Sequence, residues 1–92
     1  KGLMHGAIDV NILNVSRTGI RIKTRQPLKT GKTYLVEMKL VIKHFSEIVR
    51  AECVVMNETR VGSMYHHGCQ IVDISPSDAI LLEKYLGIVA MP

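Results

Sequence analysis

The chain has 92 residues, 47% of them hydrophobic and 22% charged, so it is expected to form one globular domain with one modest core rather than a disordered segment. Twelve basic and eight acidic side chains leave a net charge of +4, which favours anionic partners without requiring one. No apolar run approaches the roughly 18 residues of a membrane span, and two cysteines are too few for a disulfide framework, which together indicate a cytoplasmic protein with buried free thiols.

The first two predicted strands flank a polar turn. Apolar and polar residues alternate over about 7–15 and again over about 19–25, and a period of two predicts β-strands. The segment from Asn14 to Gly19 between them carries short polar side chains and a glycine, so the chain can reverse there with donors and acceptors exposed. Such a hairpin can hold a ligand at its tip, although a well-made turn explains the same residues.

Three further strands follow a turn marked by Pro27 and Gly31. The turn between the last two is placed at 57–63, with Gly62 as its pivot. Several short strands must close into a barrel or find a second sheet to hide their edges, so we expect five or six antiparallel strands in a small barrel. The three strands cover about 33–42, 48–57 and 64–73.

The last element changes to a helical period. Ser75 as N-cap, Pro76 in the first turn and the acidic Asp78 predict a helix over about 76–88, with Gly87 near its end. Its leucine-rich face is expected to cover one mouth of the barrel. The same face could instead form the seam of a homodimer.

The pattern Asn14-x-Ser16-x-x-Gly19 resembles the (Asp/Asn)-x-Ser-x-x-Gly motif of PilZ domains, bacterial modules that bind the second messenger cyclic di-GMP. The resemblance extends over residues 20–22, residues 65–76 and the closing helix. It implies a mainly β fold, a six-stranded (five or six) antiparallel β-barrel of PilZ type with a C-terminal α-helix. It also implies a regulatory domain of second-messenger signalling rather than an enzyme, with cyclic di-GMP as regulatory ligand and no cofactor.

One feature of the family is missing from the sequence. PilZ domains that bind the dinucleotide usually carry an Arg-x-x-x-Arg motif on an arm before the turn, and no such pair precedes Asn14. Arg17, Arg21 and Arg25 are spaced by four, but they lie within and after the turn and do not replace that motif. Either the arm lies upstream of the residues given, or the protein is a divergent member that does not bind the dinucleotide.

Two functions follow from the resemblance. In the first, the domain binds cyclic di-GMP and relays the signal to an attached domain or partner. The family motif assigns guanine contacts to Asn14 and Ser16 and close backbone approach to Gly19, while the positive charge of Arg17 and Arg21 suggests contacts to the phosphates. In the second, a degenerate PilZ-like domain has lost the ligand and acts as a protein-protein interaction adaptor.

Other functions are disfavoured. With one Phe, three Tyr and no Trp, the chain offers few stacking platforms to a nucleic acid. His67 and Cys69 share one face of a predicted strand, but further ligands at recognisable spacing are missing, so no metal site is expected. Ser16 has no identifiable base, and no catalytic residues are predicted.

Overall fold

The computed structural model describes the backbone of residues 2–4 and 8–90 and the side chains of residues 10–90. Within these residues the chain forms six strands and one helix. They are β1 (Gly2–Met4), β2 (Ile8–Val15), β3 (Gly19–Thr24), β4 (Thr33–Ile42), β5 (Phe45–Val61), β6 (Met64–Asp73) and α1 (Pro76–Val89).

The strands close into an antiparallel barrel in the order β1-β2-β3-β6-β5-β4. Closure depends on β1, which pairs with β2 on one side and with β4 on the other. The mainly β architecture with a C-terminal helix is therefore the predicted one. The sequence pattern did not indicate β1, because three residues are too few to show a period of two. Residue 7, where the first predicted strand begins, lies outside the described residues.

The core is built from the inward faces of the strands. The alternation over β5 is confirmed, since Val49, Ala51, Cys53 and Val55 are all buried. Burial raises the pKa of the Cys53 thiol to about 12 and that of the Cys69 thiol to about 11, so both are protonated at neutral pH. The other buried apolar residues are Val10, Ile20, Ile22, Leu28, Val36, Met38, Leu40 and Leu82.

Strand β5 is longer than the sequence suggested. It begins at Phe45 and continues to Val61, so the turn predicted over 57–63 is wrong and only Gly62 and Ser63 connect β5 to β6. The polar run of residues 57–60, for which the sequence predicts a turn, belongs to this strand. It stays in the ladder because its side chains are exposed to water while its backbone pairs with β6.

Helix α1 is anchored at its start and packs through one buried leucine. The Ser75 hydroxyl accepts a hydrogen bond from the Asp78 backbone N–H at 3.1 Å, as the predicted N-cap requires. Leu82 is 3% exposed, and the ring of Tyr85 lies 6.0 Å from that of Phe45 at the start of β5. The helix passes through Gly87 and ends at Val89, so that glycine does not terminate it.

A polar pair lies inside the barrel. The Thr24 hydroxyl donates to the Gln26 carbonyl at 2.6 Å, which uses its one proton, so the His67 Nε2–H donates to Thr24 Oγ1 at 3.0 Å. His67 Nδ1 is buried without a hydrogen-bond partner among the described residues. Burial lowers the pKa of His67 below its usual 6.5, because the charged ring would lose its hydration inside the barrel.

Candidate ligand groove

The predicted motif lies on the hairpin between β2 and β3. Strand β2 carries a bulge at Leu13, after which Asn14 pairs with Arg21. The Ser16 backbone N–H donates to the Gly19 carbonyl at 2.8 Å, and the Ser16 hydroxyl lies 3.2 Å from both the N–H and the carbonyl oxygen of Gly19. Ser16 therefore closes the turn while remaining exposed.

Gly19 lies in close contact with the neighbouring strand. A Cβ at this position would be 2.7 Å from the backbone oxygen of Cys69 on β6, a distance that real Cβ atoms essentially never show. The residue type is therefore required by the approach of β3 to β6 as well as by the motif.

A groove of about 410 Å³ opens beside this hairpin on the outer face of the barrel. We call it the motif groove. Among its described lining residues Arg21 is the one with a charged side chain, so the groove is weakly cationic. The lining residues are Asn14, Ser16, Thr18, Gly19, Ile20, Arg21, Met56, Asn57, Gly68, Cys69 and Gln70.

One row of paired residues crosses the whole groove. Asn14 of β2 pairs with Arg21 of β3, Arg21 pairs with Gly68 of β6, and Gly68 pairs with Asn57 of β5. Since neighbouring strands lie about 4.8 Å apart, the two asparagines are about 14 Å apart along the sheet. Each of them directly follows an unpaired bulge residue, Leu13 in β2 and Met56 in β5. The row places an amide at each end and a guanidinium between them.

The structure brings together four of the five residues that the sequence singled out. Asn14, Ser16, Gly19 and Arg21 all line the motif groove. Arg17 does not line it. Its guanidinium pairs with the Glu83 carboxylate of α1. Nε lies 2.7 Å from Oε1, and Nη2 donates to Oε2 at 3.2 Å.

The far wall of the groove was missed by the sequence reasoning. Met56 and Asn57 come from β5, and Gly68 and Gln70 come from β6. The sequence predicts a turn at residue 57, and no local pattern indicates that this residue faces a motif so far away in the chain. The alternation of β6 was the available signal, because it sends Gly68 and Gln70 to the same outer face.

Over the described part of the chain, no three His, Cys, Asp or Glu side chains come close enough together to hold a metal ion. His67 and Cys69 both point into the barrel core. Helix α1, the helix within residues 8–90, is not long and apolar enough to cross a membrane.

Comparison with known proteins identifies the fold. The family model of the PilZ domain matches residues 3–87. No curated protein matches the chain. The solved structure of the Bacillus subtilis inhibitor of motility (MotI/DgrA) is similar with a TM-score of 0.69 and 16% identity, over 97% of this chain and 50% of that one. The chain thus spans about half the length of that protein, and the match confirms the expected PilZ-type barrel.

Proposed function

This chain belongs to the PilZ domain family, and on that premise we propose that it is a receptor domain that binds cyclic di-GMP in the motif groove. PilZ domains are regulatory binding domains rather than enzymes. Their ligand combines two guanine bases with two phosphates. A groove that binds it must therefore supply both base-edge partners and positive charge.

The observation that carries the proposal is the convergence of Asn14, Ser16, Gly19 and Arg21 on one open groove. The Asn14 amide offers both a donor and an acceptor, which suits the edge of a guanine. Gly19 leaves the backbone bare where the ligand approaches. Arg21, which is exposed next to Asn14 in the row, supplies a guanidinium that can bind a phosphate with two parallel hydrogen bonds.

Arg17 offers a route for the signal rather than a fixed phosphate contact. It lies between Ser16 and Thr18 of the groove, yet its side chain binds Glu83 on α1. A phosphate in the groove would compete with Glu83 for this guanidinium. Ligand binding would then loosen the contact between the motif hairpin and α1, and an attached domain or protein partner that contacts the helix would receive the signal.

The alternative function, a protein-protein interaction adaptor, is favoured by a different observation. Apolar side chains lie exposed on the outer surface, among them Val41, Ile48 and Ile80. A domain that binds a partner through this surface would not need the ligand.

Calorimetric titration of cyclic di-GMP into the 92-residue chain tests the proposal. We expect binding heat that saturates at a defined stoichiometry. The titration is repeated with a version of the protein extended upstream. Binding heat from the longer version alone would show that an upstream arm completes the site. Absence of binding heat from both versions would leave the adaptor as the better function.

Ser16→Ala is the most direct single substitution for testing the role of the motif in ligand binding. We expect it to weaken cyclic di-GMP binding by about 1 kcal/mol, since one hydrogen bond to the ligand is lost. Because the Ser16 hydroxyl also closes the turn, the unfolding free energy of the variant must be measured alongside. Ser46→Ala, which removes an exposed hydroxyl at the start of β5, is the matched control and should leave the affinity unchanged.

A further inference from the structure

Asn57 on β5 is built into the far wall of the motif groove, outside the motif that the family shares. We propose that Asn57 forms a second base subsite and selects guanine over adenine. This inference rests on the proposed function, because it concerns the same groove and the same class of ligand. It assigns to the β5 side of the groove a role that neither the motif nor the fold implies.

The amide of Asn57 has a fixed orientation. Its Oδ1 accepts a hydrogen bond from the Gly68 backbone N–H at 3.0 Å. An amide oxygen committed to a backbone donor leaves the NH₂ group to face elsewhere, and this residue lines the groove. The groove therefore contains a pre-oriented hydrogen-bond donor on its far wall, and such a donor costs little conformational entropy to engage.

Gly68 is what allows this arrangement. A Cβ on Gly68 would lie 2.9 Å from both Nδ2 and Oδ1 of Asn57, so the amide occupies the space that any side chain would need. The bulge at Met56 sets the position along β5, because it moves Asn57 into register with Gly68 on the outer face. Met56 itself is 53% exposed and lines the groove, so an apolar surface for the face of a base adjoins the donor.

The two ends of the groove are alike. Asn14 and Asn57 each follow a bulge residue, and the Arg21 guanidinium lies in the row between them. A ligand with two identical bases joined through phosphates has the same order of groups: base, negative charge, base. Its second base would therefore meet Asn57 when the first meets the motif.

The chemistry of the donor selects the base. Guanine presents two acceptors, O6 and N7, on the edge away from its sugar, whereas adenine presents the acceptor N7 and the N6 amino donor. Opposite position 6 of the base, the Asn57 NH₂ would donate to O6 of guanine, whereas it would oppose the amino group of adenine. Asn57→Asp should weaken this preference, since a carboxylate still accepts from the Gly68 N–H but offers the ligand only acceptors.

The test measures the dissociation constants of cyclic di-GMP and cyclic di-AMP for the wild type, Asn57→Asp and Asn11→Asp. Asn11 is exposed on β2 outside the groove, so its variant controls for the added negative charge. We expect Asn57→Asp to raise the dissociation constant of cyclic di-GMP about tenfold more than Asn11→Asp does. We also expect it to reduce the factor by which the protein prefers cyclic di-GMP over cyclic di-AMP. Gly68→Ala, which displaces the amide without adding charge, should also weaken cyclic di-GMP while the thermal unfolding transition stays cooperative.

The outcomes separate this inference from the proposed function. If the wild type binds cyclic di-GMP and Asn57→Asp behaves like Asn11→Asp toward both ligands, the second subsite is overturned and the receptor function stands. If the wild type binds neither ligand, both proposals fall together. A selective loss of cyclic di-GMP binding in Asn57→Asp supports both.

Discussion

Two glycines in the motif groove resist a side chain for different reasons. At Gly19 an added Cβ would meet the Cys69 backbone oxygen at 2.7 Å, and backbone in a paired strand cannot move aside without breaking the ladder. At Gly68 the Cβ would meet the Asn57 side chain at 2.9 Å, and a side chain can rotate away. Substitution of glycine by alanine therefore tests the stability of the fold at Gly19 and the shape of the groove at Gly68.

We expect Gly19→Ala to lower the unfolding free energy by about 2 kcal/mol and Gly68→Ala to lower it by less than about 1 kcal/mol. Urea denaturation of the two variants and the wild type measures the difference. Equal losses would mean that β3 and β6 can separate at Gly19 at little cost, contrary to the close approach described above.

At the scale of elements, the hairpin that bears the motif and α1 are joined by the Arg17–Glu83 ion pair. The two side chains are 76% and 50% exposed, and exposed ion pairs contribute at most about 1 kcal/mol. Breaking the pair should therefore leave the fold intact. Its effect should appear in ligand affinity, since it frees a guanidinium beside the groove.

Glu83→Gln is expected to tighten cyclic di-GMP binding, by no more than about fivefold given the energy of an exposed pair. Glu47→Gln removes an equivalent exposed charge from β5 and controls for the change in net charge. The tightening should vanish in the Arg17→Ala background, which calorimetry on the double variant measures. Tightening that persists without Arg17 would contradict the proposed competition between Glu83 and phosphate.

Much of each element could be predicted from local sequence. The alternation over residues 33–42 predicts the bounds of β4, and the Ser75 cap with Pro76 predicts the start of α1, because both depend on neighbouring residues. The bulges at Leu13 and Met56 could not be predicted. A bulge is defined by a mismatch between two strands, and one strand's sequence does not contain its partner's register.

The candidate groove was likewise only partly predictable from local sequence. Its near wall was predictable because Asn14, Ser16 and Gly19 lie within one short motif. Its far wall was not, since Asn57 reaches the groove only through the pairing of β5 with β6. The pairing of Arg17 with Glu83 was hidden for the same reason: it joins residues 66 positions apart.

For the molecule as a whole, His67 should make stability depend on pH. The unfolded chain has the ordinary histidine pKa near 6.5, and the folded chain has a lower one. On acidification the unfolded state takes up the proton first. The contribution of His67 to the unfolding free energy is therefore expected to be complete above pH 6.5 and to decrease as the pH is lowered towards the folded-state pKa.

Urea denaturation at pH 7.5 and pH 5.5 measures this decline, with both values chosen to bracket the 6.5 reference. His67→Leu should reduce the difference between the two pH values, because its side chain does not titrate. His44→Gln, at the exposed β4–β5 turn, should leave the difference unchanged. A decline that is the same in all three proteins would assign the pH dependence to other groups.

The extra residues in β2 and β5 also decide how the barrel would tolerate shortening. Loss of an ordinary strand residue inverts the inside and outside of everything beyond it. Loss of Leu13 or Met56 does not, since neither has a partner and the flanking pairs already match on both sides. Excision of Met56 is therefore expected to straighten β5 while Asn57 stays opposite Gly68, so that one deletion removes an apolar side chain from the groove and keeps the barrel.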